Sequence, residues 1–121
     1  LKARFAVDGY TIAHGFSRYL AALATTPMDG QKPQVLLVSP ILIDASYADG
    51  PLFRDMFGPG AVERSQQLAE AYEAFAQANG WHYLNAADYA VASNRDGVHM
   101  EPDSHRRLAL AMAAKVREIL P

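Results

Sequence analysis

Asp96-Gly97-Val98-His99 is the segment best equipped for chemistry. A carboxylate three residues before a histidine, across a turn that contains Gly97, can reach the imidazole. It then accepts from one ring nitrogen and leaves the other to act as a general base. The segment follows a strand-like stretch and directly precedes a helix-like one, where α/β folds place ligands and catalytic groups. By spacing alone, D-x-x-H also suits a structural turn, so position and context carry the functional reading.

The other candidates read as structural. His14 sits off the main apolar stripe of a helix, His82 lies within a strand, and His105 stands in the first turns of a helix. His99, His105 and Asp103 fit no zinc-ligand spacing, and no third strong ligand accompanies them. No glycine-rich phosphate loop is present. Ser17 has Gly15 two before it but Tyr19 two after, so the G-x-S-x-G nucleophile elbow is missing. Ser39 ends a strand and is expected to serve a turn; Ser46 and Ser93 are loop residues. Ser104 lies in the first turn of a helix, where serine is common for capping.

The elements around these residues follow from periodicity. A first helix is expected from about Asp8 to Ala24, capped by Asp8, with a stripe of Ile12, Phe16, Tyr19, Leu20 and Leu23. Met28 to Pro33 reads as a polar loop. Gln34 to Ser39 reads as a strand, since Val35 to Val38 is the continuous apolar run of a parallel strand buried on both faces. Ile41 to Gly60 reads as a long connection that is unusually apolar, carrying Leu52, Phe53, Met56 and Phe57. A helical turn there would put Phe53 and Phe57 on one face. A second helix spans Ala61–Ala78, with Leu68, Tyr72 and Phe75 as its stripe, and Asn79-Gly80 stops it. Trp81 to Asn85 reads as a second strand, and Asp88 to Val98 as a loop. A third helix opens at Pro102 and runs to about 120, with Leu108, Met112, Val116, Ile119 and Leu120 as its buried face.

This order predicts a three-layer α/β/α fold with a parallel sheet and helices on both faces. Two strands cannot cover three apolar helix stripes, so the chain is expected to supply only the last strands and helices of a larger domain.

Composition narrows the function classes. The chain has 121 residues, 11 Lys+Arg against 13 Asp+Glu, and a net charge of −2. That balance argues against a nucleic-acid footprint, which needs a clustered basic excess. No apolar run is long enough for a membrane span. The absence of cysteine excludes disulfides, thiol nucleophiles and thiolate metal sites. The chain starts at Leu1, so compartment is not legible from it, with the cytoplasm slightly favoured.

Taken together, Val35–Pro40, the loop with Pro51, Phe53 and Phe57, the helix Ala61–Ala78 and the D-G-V-H block before a long amphipathic helix carry a family likeness. The chain resembles the SGNH (GDSL-type) hydrolases, most closely their arylesterase/acyltransferase branch, over nearly its whole length. The resemblance implies a flavodoxin-like parallel sheet and a serine esterase acting on short acyl or aryl esters, with hydrolysis and acyl transfer both open. It implies that Asp96 and His99 are the acid and base of a Ser-His-Asp triad. It further implies that Phe53, Phe57 and Val98 line the substrate pocket, that no metal or cofactor takes part, and that the enzyme is a homo-oligomer. The G-D-S block, the oxyanion glycine block and the G-x-N-D block of the family do not occur in this chain. Leu1-Lys2 resembles the residues that follow G-x-N-D, so the nucleophile is expected on a preceding amino-terminal segment, the first partner of this chain. A small ester is the second partner; nucleic acid and membrane are not expected.

Two other readings come from different classes. A noncatalytic α/β half-domain would bind a partner chain through an exposed sheet edge. A flavodoxin-like ligand-binding domain would need an anion loop after its first strand, a region outside these residues.

Overall fold

The computed structural model describes residues 1–27 and 30–120, without the side chains of Arg4 and Phe16. The expected place of Phe16 in a stripe and of Met28 in a loop lie outside the described residues. Helix α1 (Gly9–Thr25) starts as its sequence dictates: Asp8 is extended and its Oδ1 accepts the Thr11 N–H at 2.7 Å. Strand β1 (Leu36–Ser39) pairs in parallel with β2 (His82–Asn85), in the register Leu36–His82 to Ser39–Asn85. Helix α3 (Ala61–Asn79) makes the crossover between them and ends at Gly80 in the left-handed region. Helix α4 (Pro102–Ile119) follows β2 and packs against it.

The stretch from Ile41 to Gly60 differs from the loop expected. It holds a 3₁₀ turn (Ala45–Ala48) and a short helix α2 (Pro51–Phe57). Local chemistry explains both. Asp44 accepts the Ser46 N–H at 2.9 Å, and Pro51 supplies the fixed φ of a first helical turn. The expected helical face forms: the Phe53 and Phe57 rings stack at 6.2 Å.

The architecture is three-layered α/β/α around the parallel strands. Helix α3 lies on both strands, and the Tyr83 hydroxyl donates to the Ala69 carbonyl across that layer. Helix α1 packs on α3. Small residues let the two helices approach: Ala13 and Ala71 are buried together, with Leu68 between the helices. At Gly9 a Cβ would sit 2.6 Å from the Leu68 amide nitrogen, so only glycine fits that crossing. The second buried cluster is Ile43, Tyr47, Phe57 and Ala61, with Phe53, Met56 and Val98 packed around it.

The expected burial of the helix stripes is corrected in part. Leu108 and Ile119 of α4 are half-buried, but Met112, Val116 and Leu120 are exposed, as are Tyr19 and Leu23 of α1. Two four-residue strands offer too little area to cover these stripes. Among the described residues no helix is long and apolar enough to cross a membrane.

Candidate active site

The segment between β2 and α4 carries Asp96 and His99, and Asp96 folds it. Its Oδ1 accepts the backbone N–H groups of Val98 and His99, each at 2.9 Å, which closes the turn locally. Its Oδ2 lies 2.8 Å from His99 Nδ1. The His99 backbone N–H, the His99 ring and the Val98 N–H together pull the Asp96 carboxyl down to about 2. The carboxylate is therefore ionised across the neutral range and holds Nδ1 in its protonated form. Among the described residues nothing bonds to Nε2, and the His99 side chain is 69% exposed.

Gly97 makes the turn possible. Its φ is +68°, its N–H donates to the Ser93 carbonyl at 2.7 Å, and its carbonyl accepts the Asp44 N–H at 2.9 Å. A Cβ there would collide with the Tyr47 amide nitrogen and lie 2.7 Å from the Asp44 oxygen. The connection after β2 is thus pressed against the connection after β1. Gly97→Ala should lower folding stability by about 1–3 kcal/mol from the backbone conformation alone, with the clash added. Urea unfolding measures it; an unchanged midpoint would count against this packing.

Aromatic rings extend from the histidine into the core. Phe53 meets His99 edge-on at 5.7 Å, stacks on Phe57, and Phe57 meets Tyr47 edge-on at 6.3 Å. Phe57 is buried and Phe53 half-buried. Val98 is half-buried against the cluster of Ile43, Tyr47, Phe57 and Ala61, and so backs the site from below. A cavity of about 500 Å³ opens beside His99, lined mainly by apolar side chains, among them Val38, Ile41, Val98, Met100 and Leu108.

Of the remaining sequence candidates, His14 and His82 stay apart from this pair, whereas His105, Ser39 and Ser93 lie close to it. His14 meets Phe75 edge-on between α1 and α3, and His82 Nε2 lies 3.3 Å from Gln34 Oε1. His105 is exposed but lines the cavity beside His99. Ser39, expected to serve a turn, is instead fully buried, bonded to the Tyr83 hydroxyl at 2.9 Å and to Asn85 Oδ1 at 3.0 Å. It sits at the strand end, where its paired neighbour carries the amide that satisfies it. Ser93, read as a loop residue, is buried beneath the Asp96 turn. No periodicity flags it; only the turn-forming composition of Ser93-Asn94-Arg95-Asp96-Gly97 hints at its place. Among the described residues no group of three or more His, Asp or Glu side chains is arranged to hold a metal ion.

No family model and no curated protein matches the chain. Solved structures do. Est24, a carbohydrate acetylesterase from Sinorhizobium meliloti, superposes with a TM-score of 0.86 at 28% identity, over 98% of this chain and 56% of its own. The native aryl esterase of M. smegmatis gives the same values. A further crystal structure reaches 36% identity and a TM-score of 0.87, over 98% of this chain and 54% of its own. The chain therefore spans about half the length of the structures it matches.

Proposed function

From a chain that has the fold of the SGNH-type hydrolases and matches a carboxy-terminal portion of their arylesterases and carbohydrate acetylesterases, we propose that Asp96 and His99 are the acid and base of a carboxylic-ester hydrolase. The observation that carries this is the Asp96–His99 pair itself: Nδ1 is held by a carboxylate and Nε2 is left unbonded. The nucleophilic serine belongs to a part of the domain that these 121 residues do not include. Nε2 takes the serine proton as the hydroxyl attacks the ester carbonyl. It then returns that proton to the departing alkoxide, which leaves an acyl-enzyme. A water activated by the same nitrogen releases the acid; an alcohol in its place gives acyl transfer. Asp96 keeps the proton on Nδ1 and stabilises the imidazolium formed at each step.

Phe53 supplies the wall of the ester site next to the base, Phe57 supports it from the core, and Val98 closes the floor. Phe53→Ala should widen acceptance of longer acyl chains, raising the ratio of kcat/KM for a butyryl over an acetyl aryl ester about 10-fold. An unchanged ratio would remove Phe53 from the substrate wall. Leu52, beside it on α2, is 66% exposed; this side of α2 is our proposed contact between copies in a homo-oligomer.

The test is hydrolysis of 4-nitrophenyl acetate by the full-length protein, with covalent labelling by a fluorophosphonate probe. Turnover and labelling are expected together, and neither from the isolated 121 residues. A full-length protein that does neither would overturn the reading. It would favour instead a binding half-domain, whose contact surface is suggested by the exposed Leu110, Val116 and Leu120.

A further inference from the structure

We propose that Ser93 and Glu101 form a clasp that positions His99, an inference that rests on His99 being the base. Ser93 touches the Asp96–His99 turn from three directions. Its N–H donates to the His99 carbonyl at 2.6 Å and its carbonyl accepts the Gly97 N–H at 2.7 Å. Its hydroxyl accepts the Arg95 N–H at 3.1 Å and donates to Glu101 Oε1 at 2.5 Å. The turn thus closes on one buried serine, and that serine is tied to the residue preceding α4. The base of the segment is fixed separately: the Ser104 hydroxyl, buried in the first turn of α4, bonds both the N–H and the carbonyl of Val91 at 3.2 Å. The segment 91–104 is therefore closed at its ends by Ser104 and at its middle by Ser93 and Glu101.

The hydroxyl-to-carboxylate bond is the distinctive member. A charged acceptor at this distance makes the bond about twice as strong as a neutral one. The Arg95–Glu101 ion pair, at 3.3 Å with the arginine 83% exposed, adds little in water. Nothing in the Asp96–His99 pair itself sets where the imidazole stands relative to the rest of the domain, because both residues ride on the same turn. The turn is located by Ser93 on one side and by Asp44 on the other. Loss of the Ser93 hydroxyl leaves its backbone bonds intact but removes the side-chain bond that ties Ser93 to Glu101 at the start of α4. A shift of about 1 Å in a catalytic group can cost as much as 10²-fold in rate.

The experiment uses the full-length protein and 4-nitrophenyl acetate, with Ser93→Ala, Glu101→Ala, Glu101→Gln and His99→Ala measured side by side. Ser93→Ala and Glu101→Ala should each lower kcat about 10-fold, with KM within twofold. The double variant should be no worse than either single, because the two groups act through one bond. Glu101→Gln keeps an acceptor for the hydroxyl and should recover most of the loss. The low-field proton resonance of the Asp96–His99 hydrogen bond should move in Ser93→Ala and in Glu101→Ala and keep its parent position in Glu101→Gln. Thermal melts separate this from simple destabilisation, since assays well below the transition report positioning alone. If Ser93→Ala and Glu101→Ala keep kcat within twofold while His99→Ala is inactive, the clasp is refuted and the base stands. If His99→Ala is itself active, the error lies in the choice of base.

Discussion

In the full-length protein, His99→Ala should lower kcat for a short-chain aryl ester by at least about 10³-fold, with KM little changed. The reason is geometric. His99 Nε2 is the nitrogen left unbonded beside a ring-lined wall, while Nδ1 is committed to Asp96 at 2.8 Å. Alanine removes the proton acceptor and leaves the turn, because Asp96 Oδ1 still receives the backbone N–H groups at positions 98 and 99. Binding of the ester does not use the imidazole proton, so the loss falls on the chemical step. Steady-state assays with active-site titration decide it. Hydrolysis within tenfold of the parent would mean that another group is the base.

Asp96→Asn should cost about 10²–10⁴-fold in kcat through a different cause. An amide can keep one oxygen on the Val98 and His99 N–H groups, so the turn survives. Its nitrogen then faces Nδ1 and donates, which forces the proton of the neutral ring onto Nε2. The nitrogen that accepts the serine proton in the proposed mechanism is then already protonated. The same substitution changes the acid response of the fold. In the folded protein the Asp96 carboxyl titrates at about 2, below the ordinary 3.8. A depressed carboxyl stabilises the fold fully above its unfolded value, and that contribution is lost as pH falls from 3.8 toward 2. The stability gap between the parent and Asp96→Asn should therefore shrink on going from about pH 5 to about pH 2. Urea midpoints at several pH values measure it. A gap that stays constant with pH would show that the turn is not held by the charged carboxylate.

What the sequence disclosed and what it hid follow physical lines. Helices α1, α3 and α4 and strand β1 stand out because each has a cap, a proline start, a stop signal or an apolar run in or beside its own residues, and β2 follows from the stop at Gly80. Asp96 and His99 were legible because their interaction spans one turn. Helix α2 reads as part of a loop, since seven residues are too few to show a period, although the spacing of Phe53 and Phe57 already implies their pairing. Along α4 the apolar stripe overstates burial at Met112, Val116 and Leu120, because a stripe marks what can be buried and not how much surface is available to bury it. Ser93 and Glu101 were missed for another reason. Their bond joins two polar residues eight apart through irregular backbone, and no spacing rule covers that.

The bond from the Asp44 N–H to the Gly97 carbonyl joins residues 53 apart in the chain. The stretch between them holds α2, α3 and β2, so Asp44 and Gly97 meet once α3 has brought β2 back beside β1. Closing a loop of this length costs chain entropy before the contact rewards it. The D-G-V-H turn can bend locally at any time, but its location in space arrives with this one closure. The Asp96–His99 turn therefore takes its place beside the Asp44 connection when this closure forms, and loses it in any opening that parts the two connections.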